Sequence, residues 1–224
     1  MSNNSLIILY ETLLDLSQNL FKQYNATLII QSGNPLEVLP SFIVQYGICR
    51  MYTDKPIDPA SEAIEKSLKP ILTSLGIYSR FAFSNTLYDL DFLLKSMGEN
   101  LPTSFEGYVQ HLRNFIPPAS PLSSPESIPH SVSKEDFPFP PIESFGIKDY
   151  RTTSNQPPCF GGETKALTQL KSTIGDVDWV KKFEQGDTNP TSITPSTSLL
   201  SPYFAFGSLS PKVYFLIFFF FLIF

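Results

Sequence analysis

Between Leu9 and Phe115 the hydrophobic period switches repeatedly between that of a helix and that of a strand, and few folds accommodate such an alternation. Leu9, Leu13, Leu16 and Leu20 step by four, three and four, predicting an amphipathic helix that ends near Tyr24. Residues 26–30 are rich in β-formers and close on Gly33, predicting a strand. Asn34-Pro35-Leu36-Glu37 then supplies an N-cap, a proline at the first helical position and a glutamate able to reach back. The helix it opens carries Val38, Leu39, Phe42, Ile43 and Tyr46 and stops at Gly47. A strand over 48–52 follows. Asp58-Pro59 opens a helix with Ile64, Leu68, Ile71 and Leu72 on its buried side, kinked or split at Pro70 and ended by Gly76. A third strand over 77–83 and helical patterns over 87–97 and 103–115 complete the run. Parallel neighbours need a long connection and a helix supplies it, so this alternation predicts an α/β domain over 1–115 with a parallel sheet.

Charge and cysteine usage exclude several classes. The net charge is −5 over 224 residues, and the 16 Lys and Arg are scattered without a basic run, so the chain carries no footprint of a nucleic-acid surface. Cys49 and Cys159 have no metal-ligand spacing and there are only two histidines, His111 and His130, so no metal site is expected and the cysteines read as free thiols in a reducing compartment. The N-terminus has no basic region before its apolar residues and reaches Glu11 and Asp15 early, so no signal peptide is read there. Residues 116–141 hold eight of the 20 prolines without periodicity, which marks a linker, taken here as 116–150.

Chemistry concentrates in Thr194 to Lys212, TPSTSLLSPYFAFGSLSPK. Ser201-Pro202 and Ser210-Pro211 each place a capping residue before a proline, a signal for a helix start. Helix starts carry free N–H groups and partial positive charge, so the hydroxyls of Thr197, Ser198 and Ser201 beside them form a possible phosphate cradle without any lysine. From the residues alone, the same S/T/P-rich text reads at least as well as a run of turns.

Residues 197–212 resemble the motif T-S-x-L-S-P-Y-L-x-F-G-x-L-S-P-[RK], which opens the flavin-binding region of the photolyase/cryptochrome family. Other stretches are similar to the same family. Gly33-Asn34-Pro35-Leu36-Glu37-Val38-Leu39-Pro40 resembles its G-x-P-x-x-V-L-P turn, and Asn85-Thr86-Leu87-Tyr88-Asp89 resembles H-T-L-Y-D with Asn85 in place of histidine. Phe137 to Gly146 resembles F-P-V-P-x-x-E-x-L-G, and Gly161-Gly162-Glu163-Thr164-Lys165-Ala166-Leu167 matches the G-G-E-T-x-A-L helix start. The resemblance implies an incomplete Rossmann-like α/β domain, the linker, and the start of an all-α FAD-binding domain over 151–212. It also implies that Thr197, Ser198, Leu199, Leu200 and Ser201 lie against the FAD diphosphate.

Relative to the family the chain reads as truncated at both ends, since the family's first strands and its W-F-R-x-x-L-R-x-x-D-N loop have no counterpart before Leu6. A sheet lacking those strands is expected to leave its edges exposed and its helices half covered. Gln185 and Asp187 stand where animal-type members carry basic residues, and Asp187 is unfavourable beside a diphosphate. Trp179 beside Val180 and Phe183 reads as packing rather than as part of an electron chain.

For a complete member the resemblance implies a blue-light flavoprotein, nuclear or cytoplasmic, whose excited flavin repairs a DNA photoproduct or triggers photoreceptor or clock signalling. Its partners are then FAD with either DNA or signalling proteins. The alternative reading is a non-catalytic remnant held at a membrane by Val213 to Phe224, VYFLIFFFFLIF, whose six phenylalanines resemble nothing in the family at that point. Twelve helical residues reach ~18 Å against the ~30 Å of a bilayer core, so this tail, read as a cut or misread frame, is expected to pack on protein rather than span.

Overall fold

The computed structural model describes residues 2–98, 101–113, 115–129, 136–147, 150–151, 159–176, 178, 180 and 197–223. Trp179, Gln185, Asp187 and His130 lie outside them. The chain forms two compact units, Gln31–Ala119 and the discontinuous pair Met1–Ile30 with Ser120–Phe224.

The Gln31–Ala119 unit is the α/β part. Helix α2 (Pro35–Tyr46) follows helix α1, described below, and starts as its sequence requires: the Asn34 side chain accepts from the Leu36 amide and Glu37 reaches back to Asn34 Nδ2 at 3.2 Å. Strands β1 (Arg50–Asp54) and β2 (Tyr78–Ala82) pair in parallel, Arg50 opposite Tyr78 and Asp54 opposite Ala82, joined by helix α3 (Pro59–Ser74). Helices α4 (Leu90–Met97), capped by Asp89, and α5 (Phe105–Arg113) complete the unit. Its core is Ile43, Leu68 and Leu72, flanked by Leu36, Leu39, Ile48, Met51, Ile77 and Phe81.

Three expectations are corrected here. Residues 26–30 form no strand, because a strand exists only with a neighbour and, among the described residues, β1 and β2 bond only to each other. Pro70 does not break α3: it lies on the exposed side, where water can satisfy the carbonyl it leaves without a donor, while Leu68 and Leu72 anchor the helix on either side. Ile64 is on the outside of α3, and Glu65 takes the buried position, paired with Lys69, whose ammonium also sits over the Phe81 ring. The sheet face bearing Tyr52 and Tyr78 is open, these side chains being 63% and 56% exposed, as a sheet with so few strands requires.

The other unit is built on helix α1 (Asn3–Tyr24), whose Ser2 cap accepts from the Ser5 amide. Ile7 and Ile8 are its buried residues, while of the expected leucine stripe Leu9, Leu13 and Leu20 are half-buried and Leu16 is exposed. Residues 1–30, which the sequence pattern groups with the sheet, pack in the structure with 120–224: α1 meets a 3-10 turn (Ile142–Phe145) and helix α6 (Glu163–Gly175). Tyr10 gathers the end of the linker, its ring edge-on to Phe139, Phe145 and Tyr150 at centroid distances of 5.6, 5.2 and 6.3 Å. Two further helices follow, α7 (Ser201–Ala205) and α8 (Pro211–Ile223). The core comprises Ile8, Cys159, Ala166, Leu170, Ile174, Leu200, Tyr203 and Leu209, and α8 lays Tyr214, Ile217 and Phe218 against it. No helix among the described residues is long and apolar enough to cross a membrane.

Candidate functional site

The hydroxyl-bearing segment lies between α6 and α7. Thr197 and Ser201 are exposed, Ser198 and Leu199 half-buried, and Leu200 is buried in the core. Leu199 has φ +55°, a left-handed conformation that costs a non-glycine residue ~1 kcal/mol or more and persists only where its neighbours impose it. On one side the constraint is Leu200, fixed among Ala166, Leu170 and Tyr203. On the other, Gln169 of α6 donates from Nε2 to the Ser198 carbonyl at 3.1 Å.

The start of α7 departs from the expected cap. Leu200 is the N-cap residue: its carbonyl accepts from the amides of Tyr203 and Phe204, Ser201 is the first helical residue, and no side chain caps the helix. Ser201 is displaced by one position because burying Leu200 fixes where the turn begins, and it is exposed. At α8 the expected start is kept, with the Ser210 carbonyl accepting from the Tyr214 amide and Pro211 opening the helix.

Two carbonyls of the segment, groups that would repel a phosphate, are thus engaged elsewhere, Ser198 by Gln169 and Leu200 by α7. No Asp or Glu occurs between Thr197 and Lys212. Neither an acidic side chain nor either of these two carbonyls therefore opposes an anion at the segment. The adjoining cleft, between Phe160, Lys165, Gln169, Leu199 and Tyr203, is about 160 Å³, below the roughly 300–1,000 Å³ of sites that enclose a whole ligand.

What positions α6, and through it this segment, is a set of contacts that the sequence reading did not identify. Helix α6 has no side-chain cap of its own; three side chains on one face of α1 supply it. Glu11 Oε2 accepts from the Gly161 amide at 2.7 Å, Thr12 Oγ1 from the Gly162 amide at 3.1 Å, and Asp15 from the Thr164 amide at 3.1 Å and its hydroxyl at 2.7 Å. The approach leaves no space for a side chain: a Cβ on Gly161 would lie 2.2 Å from the Ile8 carbonyl oxygen, and one on Gly162, at φ +105°, 2.7 Å from Asp15 Cβ. The glycines of the GGET motif are thus the seat of α1. Glu11 is also held by Arg151, which donates from Nε at 2.5 Å and Nη2 at 2.7 Å, lies over the Phe160 ring and donates to the Cys159 carbonyl. Burial raises the Glu11 pKa, but the hydrogen bonds from Arg151 and Gly161 outweigh it and hold the carboxyl below its ordinary value. Cys159 is a free, buried thiol whose pKa burial pushes up. A motif spacing cannot reveal this seat, since the two halves are separated by 150 residues; the adjacent glycines, legible only as part of a motif, were its signal in the sequence.

Comparison with known proteins agrees with this architecture. The sequence profile of the DNA photolyase family matches residues 1–126. Cryptochrome-1 of Spalax judaei is 28% identical over 219 residues, covering 92% of this chain and 36% of its own length. The (6-4)DNA photolyase of Arabidopsis thaliana is 28% identical over 217 residues, covering 95% and 39%. The chain thus spans somewhat over a third of the length of these relatives. Among solved structures, the cryptochrome of Synechocystis sp. superposes with a TM-score of 0.77 at 22% identity, covering 96% of this chain and 44% of the other. A bacterial class III photolyase from Agrobacterium tumefaciens superposes with a TM-score of 0.72 at 25% identity, covering 95% and 43%. With a profile match over more than half of its residues, the chain belongs to the photolyase/cryptochrome family.

Proposed function

We propose that this chain supplies part of the FAD site of a blue-light flavoprotein, with Thr197, Ser198, Leu199, Leu200 and Ser201 against the flavin's diphosphate. The carrying observation is the acid-free hydroxyl segment whose Ser198 and Leu200 carbonyls are engaged by protein. In the complete protein FAD would absorb the light and supply the electron for repair of a DNA photoproduct, or for photoreceptor or clock signalling. Relatives of both kinds, cryptochromes and a (6-4) photolyase, support that pair of roles. A related archaeal photolyase from Sulfolobus tokodaii has been solved with two FAD molecules. Residues 151–212 are then the beginning of the flavin domain.

The isoalloxazine and adenine need a mostly enclosed cavity, which the 160 Å³ cleft does not provide. Purified 1–224 is therefore expected to carry no stoichiometric FAD, whereas a form extended to the length of its relatives is expected to bind it. The flavin absorbance-to-protein ratio after desalting measures both, and an extended protein that stays colourless removes the flavin assignment. In the extended form Ser201→Ala is expected to weaken FAD by ~1 kcal/mol, the value of one hydrogen bond, with no cap contribution because Leu200 occupies the cap position.

With a net charge of −5, the 1–224 chain alone is expected to show no salt-dependent affinity for duplex DNA, damaged or intact. Fluorescence anisotropy tests this, and micromolar binding that falls steeply with salt contradicts it.

A further inference from the structure

We infer that Gln169 is the positioning residue of the 197–201 segment and sets how tightly that segment holds a diphosphate; the ligand half of this inference rests on the flavin reading above. Gln169 occupies the second turn of α6, half-buried, and reaches across to a stretch with no ladder or helix of its own. A carbonyl oxygen can only accept, so the amide nitrogen must face Ser198, and the 3.1 Å contact fixes which way the Gln169 amide is turned. The side chain is itself held: Nε2 also lies 3.4 Å from Thr173 Oγ1, and that hydroxyl donates to the Gln169 carbonyl at 2.8 Å.

The consequence falls on the neighbouring residue. With the Ser198 carbonyl drawn to α6 and Leu200 buried, Leu199 is constrained from both sides into its left-handed conformation. That conformation sets the direction in which the hydroxyls of Thr197 and Ser198 leave the backbone. Without the Gln169 donor the segment has no other described contact that holds the Ser198 carbonyl, and Leu199 is free to relax toward φ < 0. The hydroxyls would remain while their arrangement is lost.

The discriminating variant is Gln169→Glu, nearly equal in shape, which sets a carboxylate against the carbonyl in place of a donor. Gln169→Arg keeps a donor at the same position. In 1–224, exchange of the Tyr203 and Phe204 amides, which donate to the Leu200 carbonyl at the end of the segment, is expected to rise at least tenfold in Gln169→Glu and to return toward the parent value in Gln169→Arg. Exchange at Ala166, Leu167 and Leu170 should stay unchanged, which separates repositioning from unfolding of α6. In the extended protein, Gln169→Glu is expected to weaken FAD at least tenfold and riboflavin, which has no phosphate, less than twofold. Unchanged exchange at Tyr203 and Phe204, or equal losses for FAD and riboflavin, would overturn the inference. If the extended parent binds neither ligand, the flavin reading fails and the diphosphate role with it, while the exchange result still decides whether Gln169 positions the segment.

Discussion

Gly161→Ala is expected to destabilise the unit formed by Met1–Ile30 and Ser120–Phe224 severely. The added methyl would sit 2.2 Å from the Ile8 carbonyl oxygen and 2.9 Å from both Glu11 Cβ and the Thr12 nitrogen, so what it meets is mostly helix backbone that cannot rotate away. Overpacking that side chains can absorb costs ~1–3 kcal/mol. Here relief requires lifting α1 off α6, which also withdraws Glu11, Thr12 and Asp15 from the amides they accept, at ~1–3 kcal/mol for each buried group left unpaired. A total of ~4 kcal/mol or more is a large share of the ~5–15 kcal/mol by which a domain is stable. Urea titration followed by circular dichroism measures it. Gly175→Ala is the control, because a Cβ there meets nothing within 4 Å; it should be neutral or slightly stabilising. If the two variants unfold alike, the close seat of α1 on α6 is not the source of stability.

The second large effect concerns Glu11. Its side chain is 10% exposed and that of Arg151 12%, so Glu11→Ala would leave a guanidinium and the Gly161 amide without their acceptor in a largely dry site. Removing one partner of such a pair costs ~3–5 kcal/mol. The double variant Glu11→Met, Arg151→Met should recover part of that loss, since no charge is then stranded. The pH dependence follows from the sign of the shift. The folded pKa of Glu11 lies below its ordinary value of 4.5, so its contribution is complete above that value and disappears as the pH falls through it toward the depressed one. The parent should therefore lose stability progressively below about pH 4.5. Glu11→Gln, already weakened at neutral pH, should show a shallower acid slope; identical slopes would mean that other carboxylates carry the transition.

Local features were legible in the sequence wherever the determinants lie within a few residues of one another. Asn34-Pro35 and Asp58-Pro59 start helices in the structure as their spacing predicts, and β1 and β2 lie within two residues of the expected strands. The parallel pairing followed from the intervening helix. What was illegible depends on partners distant in the chain. Residues 26–30 have the composition of a strand, but pairing is decided by a neighbour, not by propensity. Glu11 and Asp15 stood in the sequence as little more than evidence against a signal peptide, yet they form the capping face of α1. Gly161 and Gly162 were read as a family motif, whereas their physical role is visible only with Ile8 and Asp15 set against them. At the candidate site, the hydroxyl segment was found from its text, but the position of the helix start was not. Burial of Leu200 moved that start by one residue, and burial is a tertiary quantity.

The seat between α1 and α6 also bears on the order of events during synthesis. Glu11, Thr12 and Asp15 have acceptors ready from the start, but the amides that satisfy them are 149 or 150 residues further along. At ~5–20 residues per second, roughly 10 to 30 s pass before the ribosome releases them. Throughout that interval Ile8 lacks the core that buries it, while Gln31–Ala119, whose strands and crossover are contiguous in the chain, can already fold. Helix α1 is thus made long before its seat and is among the last elements to be completed, and a nascent chain halted before Gly161 should expose it to any factor that recognises an apolar helix.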